Sequence, residues 1–304
     1  MEHRGLETTA FVDNVGFESA PSSADFLLNN PDAIRDFLLD KASGSEKVFN
    51  YGAVHRIHEH LKDLVSTHTD GYERAQSLVE CSSRYRDALN IPPNQLSPGE
   101  RSVQVTSGLF LSNVASLAAM RIFIVDRFWA PNRQIDENSK KLYLEKRKIY
   151  QSDVDRYYDY FHDDLTTEDL DDSLMDIAHS ARLLVSRRNW VGAVTDTNNH
   201  EFVGSVLSER VVKQSLRSRF PETRYGTAEE DASPTKADVV VPLGHSALHL
   251  QVKMKMTESE FKVRPDQSPM GVQVPMQVLR SQLTKPEQRQ LVKAVSQKVE
   301  ELAA

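Results

Sequence analysis

Glu209, Asp238, Gln251 and Lys253 have the side-chain types and the order that hydrolysis of a phosphodiester would require. Breaking that bond calls for a divalent cation that activates water and offsets charge on the phosphate. Mg²⁺ or Mn²⁺ takes oxygen donors. The Asp238 carboxylate, the Gln251 side-chain carbonyl and the backbone carbonyl of Val252 can supply them, and Glu209 can bind the ion or its water. Lys253 can orient the attacking water or stabilise the negative charge that develops on the phosphate.

These side chains need a scaffold, and the surrounding pattern describes one. A helix is expected over about His200–Phe220, with Phe202, Val203 or Val206, Leu207, Val211 or Val212, and Leu216 on its apolar face. Glu209, three residues before Val212 and seven before Leu216, lies beside that face. Pro221–Pro234 reads as a Gly/Glu/Asp-rich loop. The period then switches from helical to alternating. Lys236–Pro242 is a β-branched run, Leu243–Ser246 supplies turn residues, and Ala247–Met256 alternates. Leu248, Leu250, Val252, Met254 and Met256 fall on one side; His249, Gln251, Lys253 and Lys255 fall on the other. The result is a hairpin with Asp238 near the start of its first strand and Gln251 and Lys253 on one face of its second. His249, Lys255, Lys262 and Arg264 are placed to hold the phosphates of a nucleic acid.

This arrangement resembles the PD-(D/E)XK, or restriction-endonuclease-like, nuclease superfamily, whose signature is Asp, a gap of ten to twenty residues, then Glu, Asp or Gln, one residue, and Lys. Asp238 and Gln251-Val252-Lys253 match with a 13-residue step, and Glu209, Val212 and Leu216 match the first-helix acid with its following apolar positions. Gly271–Pro275 looks like the next core strand. Thr284-Lys-Pro-Glu287 is a capping box for a last helix carrying Leu291, Val292, Val295, Val299 and Leu302. The resemblance covers residues 200–302. It implies an α/β (α+β) fold with a restriction-endonuclease-like αβββα core after a helical N-terminal region, and a Mg²⁺- or Mn²⁺-dependent nuclease acting on DNA. Asp238, Gln251 and Glu209 are then the metal ligands. The chain departs from the pattern twice: Lys236-Ala237 precedes Asp238 where the family usually has Pro, and Gln251 carries no charge where Glu is commonest, which weakens metal binding.

Before Asp196 the chain reads as almost all helix. Helices are expected over Ser23–Asp40, Tyr51–Ser66, Tyr72–Leu89, an apolar stretch from Leu109 to Trp129, Ser139–Phe161 and Thr166–Arg188. Asn90–Gly99, rich in proline, reads as a loop. The domains expected are therefore 1–195, helical, for substrate selection, dimerisation or partner binding, and 196–304, the nuclease-like part. Ser139–Phe161 carries five tyrosines among lysines and reads as a solvated amphipathic helix. His55, His58 and His60 lack the His-Glu-x-x-His arrangement of a metal site. Net charge is −7, so no global basic field advertises a polyanionic partner. Residues 197–304 hold 15 Lys and Arg against 13 Asp and Glu, while the rest carries a balance of −9. A single cysteine, Cys81, excludes an intramolecular disulfide and fits a reducing, cytoplasmic compartment. The apolar stretch is expected to fall short of a membrane span, the start of the chain lacks the pattern of a signal peptide, and no membrane partner is expected.

Each residue also has an ordinary reading. Asp238 can simply begin a strand, Gln251 and Lys253 can be the wet face of a hairpin, and Glu209 can pair with Lys213 at i, i+4. Three settings stay open for a nuclease: restriction, host defence, or a toxin held by an inhibitory protein partner. The alternative class is a catalytically inactive nucleic-acid-binding or assembly protein with a nuclease-like fold. A homodimer is compatible with both.

Overall fold

The computed structural model describes residues 30–39, 49–68, 70–129, 136–186, 195–233, 236–255, 260–275 and 282–303. Helices come first: α1 (Pro31–Leu39), α2 (Tyr51–Leu64), α3 (Gly71–Ala88), α4 (Pro98–Trp129), α5 (Glu137–Phe161), α6 (Thr167–Val185) and α7 (Asp196–Arg217). They are followed by β1 (Arg224–Tyr225), the short helix α8 (Ala228–Ala232), β2 (Val239–Leu243), β3 (Ser246–Lys255), β4 (Lys262–Arg264), β5 (Met270–Pro275) and α9 (Lys285–Ala303). The chain is thus an α+β protein, with a mostly helical first part and a mixed sheet in the order β1-β2-β3-β5-β4.

Caps decide where the helices begin. Thr166 with Asp169, Thr195 with Asn198 and Thr227 with Glu230 each form a reciprocal box in which side chain and backbone N–H satisfy one another. The Thr195 box starts α7 four residues before the expected His200. The expected Thr284 and Glu287 pair also forms at the last helix. Ser97 and Glu100 hold each other across Pro98, which takes the first helical position, where a missing N–H costs nothing. Pro98 therefore opens α4, where the sequence reading had placed a break.

α4 is the hub. It is buried from Ser102 to Ala119 and packs against α1, α2, α3, α5 and α6. Its stretch Pro98–Val125 is, by length and composition, long and apolar enough to cross a membrane, contrary to the shorter stretch read from sequence; most of it is buried among the neighbouring helices. α5 also departs from expectation. Tyr150, Tyr157, Tyr158, Tyr160, Arg147, Gln151 and Asp153 are all buried, so α5 is an interior helix rather than a solvated one. Three of its tyrosines fit inside with their hydroxyls paired: Tyr157 donates to the Leu170 carbonyl at 3.3 Å, Tyr160 to that of Pro98 at 2.9 Å, and Tyr158 to Asp171. Cys81 is buried. His60 lies 2.6 Å from the Tyr85 hydroxyl and His58 3.0 Å from Glu59.

β2 and β3 form the expected antiparallel hairpin, β3 and β5 run parallel, and β4 adds antiparallel to β5. β1, α8 and β4 had not been expected. α7 packs on β3, α9 packs on α7, and α5 reaches α7 and α8. One apolar cluster extends from Ile34 through Leu117 and Val206 to Val274 and Val295, so the helical part and the sheet share a core.

Candidate active site

The hairpin register pairs Val239 with Leu250 and Val240 with His249. One further step sets Asp238 against Gln251. At that step the backbone ladder gives way to a side chain. Asp238 N–H donates to the Leu250 carbonyl at 2.9 Å, while Val252 N–H donates to Asp238 Oδ2 at 2.8 Å. The carboxylate is thus fixed at the mouth of the hairpin. Its approach is equally constrained: Lys236 adopts φ +42°, a region that non-glycine residues seldom enter. Gly226 N–H donates to the Asp238 carbonyl at 2.9 Å, and a Cβ on Gly226 would lie 1.9 Å from the Ala237 carbonyl oxygen. Only glycine lets the end of β1 pass so close to the segment that carries Asp238.

Gln251 and Lys253 share a face of β3, with Gln251 half-buried and Lys253 exposed. Neither makes a side-chain hydrogen bond or ion pair among the described residues. Register across β5 extends the rows. Gln251 is opposite Gly271, which is opposite Arg264; Lys253 is opposite Gln273, which is opposite Lys262. Asp238 therefore ends a row that runs through Gln251 to Arg264, with Lys253 and Lys262 in the next row. Lys255 is exposed two residues beyond Lys253. His249 sits by α8, close enough to Glu230 to help lower that carboxyl to about 2, a shift owed chiefly to Arg224.

Glu209 is buried on α7, 2% exposed, and its partners come from α5. Arg147 grips it with both ends of the guanidinium, Nη1 donating to Oε2 at 3.3 Å and Nη2 to Oε1. Gln151 Nε2 donates to Oε2. Arg147 also lies 3.7 Å from Asp231 on α8, and Lys148 Nζ lies 3.0 Å from that same oxygen. The Glu209–Lys213 pair of the ordinary reading does not form; Lys213 is bound to Asp155 on α5 instead. Burial alone would pull the Arg147 guanidinium down, but Glu209 beside it more than reverses this and holds it charged.

Asp238 is the perturbed group. Burial first, and then the nearby Glu209 charge, push its carboxyl up to about 8 against the opposing pull of Arg147. Asp231 adds to the upward push. Glu209, Asp231 and Asp238 thus share one pocket of field, offset by Arg147 and Lys148. Tyr143, on the same α5 stripe, is raised by burial, with Arg147 opposing.

Of the residues read from sequence, Asp238 and Glu209 come together electrostatically, Gln251 is the register neighbour of Asp238, and Lys253 follows on the same face. Lys255, Lys262 and Arg264 lie on the exposed part of that sheet face. The contribution of α5 was missed. Its signal was present in the i, i+4, i+8 series Tyr143, Arg147 and Gln151, but such a series on a charged helix reads equally well as a wet face.

The donor set suits a hard cation. The Asp238 carboxylate, the Gln251 carbonyl and the second lone pairs on Glu209 are all oxygens, and the Gln151 Oε1 beside Glu209 is buried without a hydrogen-bond partner. No three His, Cys, Asp or Glu side chains among the described residues form a ready metal cluster, so amide and backbone oxygens would have to complete the shell. Compared with known proteins, the chain matches no family model, no curated protein and no solved structure.

Proposed function

We propose that this chain is a divalent-metal-dependent nuclease of the restriction-endonuclease type that hydrolyses DNA. One observation carries the reading. Asp238 is held by the hairpin against Gln251 and beside buried Glu209, with its carboxyl pushed up to about 8 by burial and by that neighbour. A buried acid raised by burial and by a neighbouring carboxylate marks a place where a cation would be welcome. The order α7, β2, β3, β5, α9 supports the αβββα core implied by the resemblance. Asp238 and Gln251 would hold Mg²⁺ or Mn²⁺, with Glu209 as accessory ligand or water orienter. When bound, the ion would activate water and neutralise phosphate charge. Lys253, exposed and with no acid partner among the described residues, would orient that water or stabilise the charge that develops on the phosphate. Lys255, Lys262, Arg264 and His249 would hold flanking phosphates along the sheet face. A cytoplasmic setting, a homodimer and an inhibitory protein partner belong to the same proposal.

The second reading also has its observation. Arg147 already supplies Glu209 with a countercharge in a bidentate grip, and a guanidinium so placed opposes a dication. This favours an inactive descendant that binds nucleic acid or assembles with a partner.

Digestion of supercoiled, linear and single-stranded DNA with Mg²⁺ or Mn²⁺ tests the choice. Cleavage is expected from the wild type and abolished in Lys253→Ala and Asp238→Ala, each still folded by circular dichroism. If the wild type cuts neither DNA nor RNA, the enzymatic proposal is lost. Salt-sensitive DNA binding by Asp238→Ala without cleavage by the wild type would establish the second reading.

A further inference from the structure

We propose that a cavity among α3, α4 and α5, away from Asp238, is a binding site for a phosphate group. It has a volume of about 100 Å³ and is lined by Ser82, Ser83 and Arg86 on α3, Ser112 on α4 and Lys146 on α5, over an apolar floor. Lys146 and Arg147 are adjacent on α5, so their side chains leave the helix about 100° apart; Arg147 turns to α7 and Lys146 to α3.

Four features give the cavity its chemistry. The Lys146 ammonium donates to Ser83 Oγ at 2.8 Å and makes no ion pair among the described residues, so a partly buried positive charge stands there with donors to spare. Ser83 sends its own proton to the Val79 carbonyl at 2.6 Å, which leaves Lys146 without an acceptor that carries charge. Arg86 spends Nε and Nη2 on Asp153, at 2.6 and 2.9 Å, and keeps Nη1. Ser82 is fully buried, and its Oγ has no hydrogen-bond partner. A buried hydroxyl left unsatisfied is destabilising, and an acceptor in the cavity would relieve that cost.

The charges favour an anion. Arg86 and Asp153 cancel, and Arg156 at 3.8 Å adds a second cation to Asp153. The remaining acid in the lining, Asp87, is exposed, so water screens it, whereas Lys146 is partly buried and screened less. An occupant must be compact, negative, and able to accept from an ammonium on α5 and from a guanidinium and a hydroxyl on α3. A tetrahedral oxyanion meets those demands, and charge-assisted bonds of this kind are the strong ones.

The test is calorimetric titration of the full chain with inorganic phosphate in chloride buffer at constant ionic strength, with a 5′-mononucleotide as the second titrant. Saturable binding of one phosphate per chain is expected. It should weaken about tenfold or more, equivalent to ~1.4 kcal/mol, in Lys146→Met and in Ser82→Val, which fills the cavity. Lys141→Met, on an exposed turn of α5, should bind as the wild type does. Tighter binding of the mononucleotide would identify a phosphate ester as the occupant; tighter binding of phosphate would identify the free ion. No saturable uptake by the wild type, or undiminished uptake by Lys146→Met, would overturn the proposal. Lys146 is only half-buried, so that variant should fold even if Ser82→Val does not.

Discussion

Two buried charge centres tie α5 to α7, and they are built in opposite senses. In one, the acid lies on α5: Asp155 receives Lys213 Nζ, the Tyr225 hydroxyl at 3.1 Å and, at 3.3 Å, Arg210 Nε. Its surplus cation is spread over aromatic faces, with Arg210 4.0 Å from the Tyr158 ring centre and Lys213 3.8 Å from that of Tyr225. In the other, the base lies on α5: Arg147 and Lys148 meet Glu209, Asp231 and Asp238. Here acid is left over, and Asp238, raised first by burial and then by the Glu209 charge, holds its proton to about pH 8. A clamp that settles its own charge is architecture. One that leaves a buried carboxylate in excess, beside a hairpin that presents an amide and a lysine, has room for a cation.

The largest expected effect follows from that asymmetry. Arg147→Met strands Glu209 with only Gln151, and losing one partner of a buried ion pair costs ~3–5 kcal/mol. Lys213→Met leaves Asp155 with Arg210 and Tyr225, so the loss should be smaller, about 1–2 kcal/mol. Urea denaturation of the two variants measures both. Equal losses would mean that the Asp155 centre has no redundancy and would collapse the contrast.

β1 connects the two centres through consecutive residues, since Tyr225 serves Asp155 and Gly226 lies against Ala237 and Asp238. Gly226→Ala forces a Cβ into the Ala237 carbonyl and should cost ~1–3 kcal/mol, as overpacking does. Because the backbone must shift, it should also flatten the pH dependence of stability that Asp238 confers. Denaturation across pH reads both outcomes; a variant with full stability would show that the Asp238 segment is not pinned there.

The legibility of these two centres differed for physical reasons. Asp238, Gln251 and Lys253 fall within a short span whose period-two alternation fixes which residues share a face, so the hairpin and the faces of its second strand could be read directly. Glu209 could be read as lying beside the apolar stripe, but not its partner. Arg147 is 62 residues away, and local spacing does not say which acid a buried arginine will meet. The i, i+4 rule offered Lys213, but Asp155 from another helix competes for it. α5 was misread because lysines and tyrosines at helical spacing describe a wet face unless neighbouring helices cover it, and coverage is a tertiary fact. β1, α8 and β4, of two, five and three residues, are too short for any period to appear.

The subtlest difference between the centres is their response to pH, measured in EDTA to exclude metal. A buried acid whose carboxyl is raised in the folded state stabilises fully below its unfolded value of roughly 4, and that stability is lost as pH climbs through about 8. For one such group the slope between those limits is at most about 1.4 kcal/mol per pH unit. Asp238→Asn removes the slope, so the variant should match the wild type near pH 5 and exceed it near pH 8. Asp155→Asn works the other way: it strips Lys213 and Arg210 of their anion and should destabilise at both pH values. Added Mn²⁺ should then raise the melting temperature of the wild type at pH 8 and leave Asp238→Asn unmoved, because only the wild type has a buried carboxylate to gain from ionising. Parallel pH curves for wild type and Asp238→Asn would remove the surplus acid on which the contrast between the two centres depends.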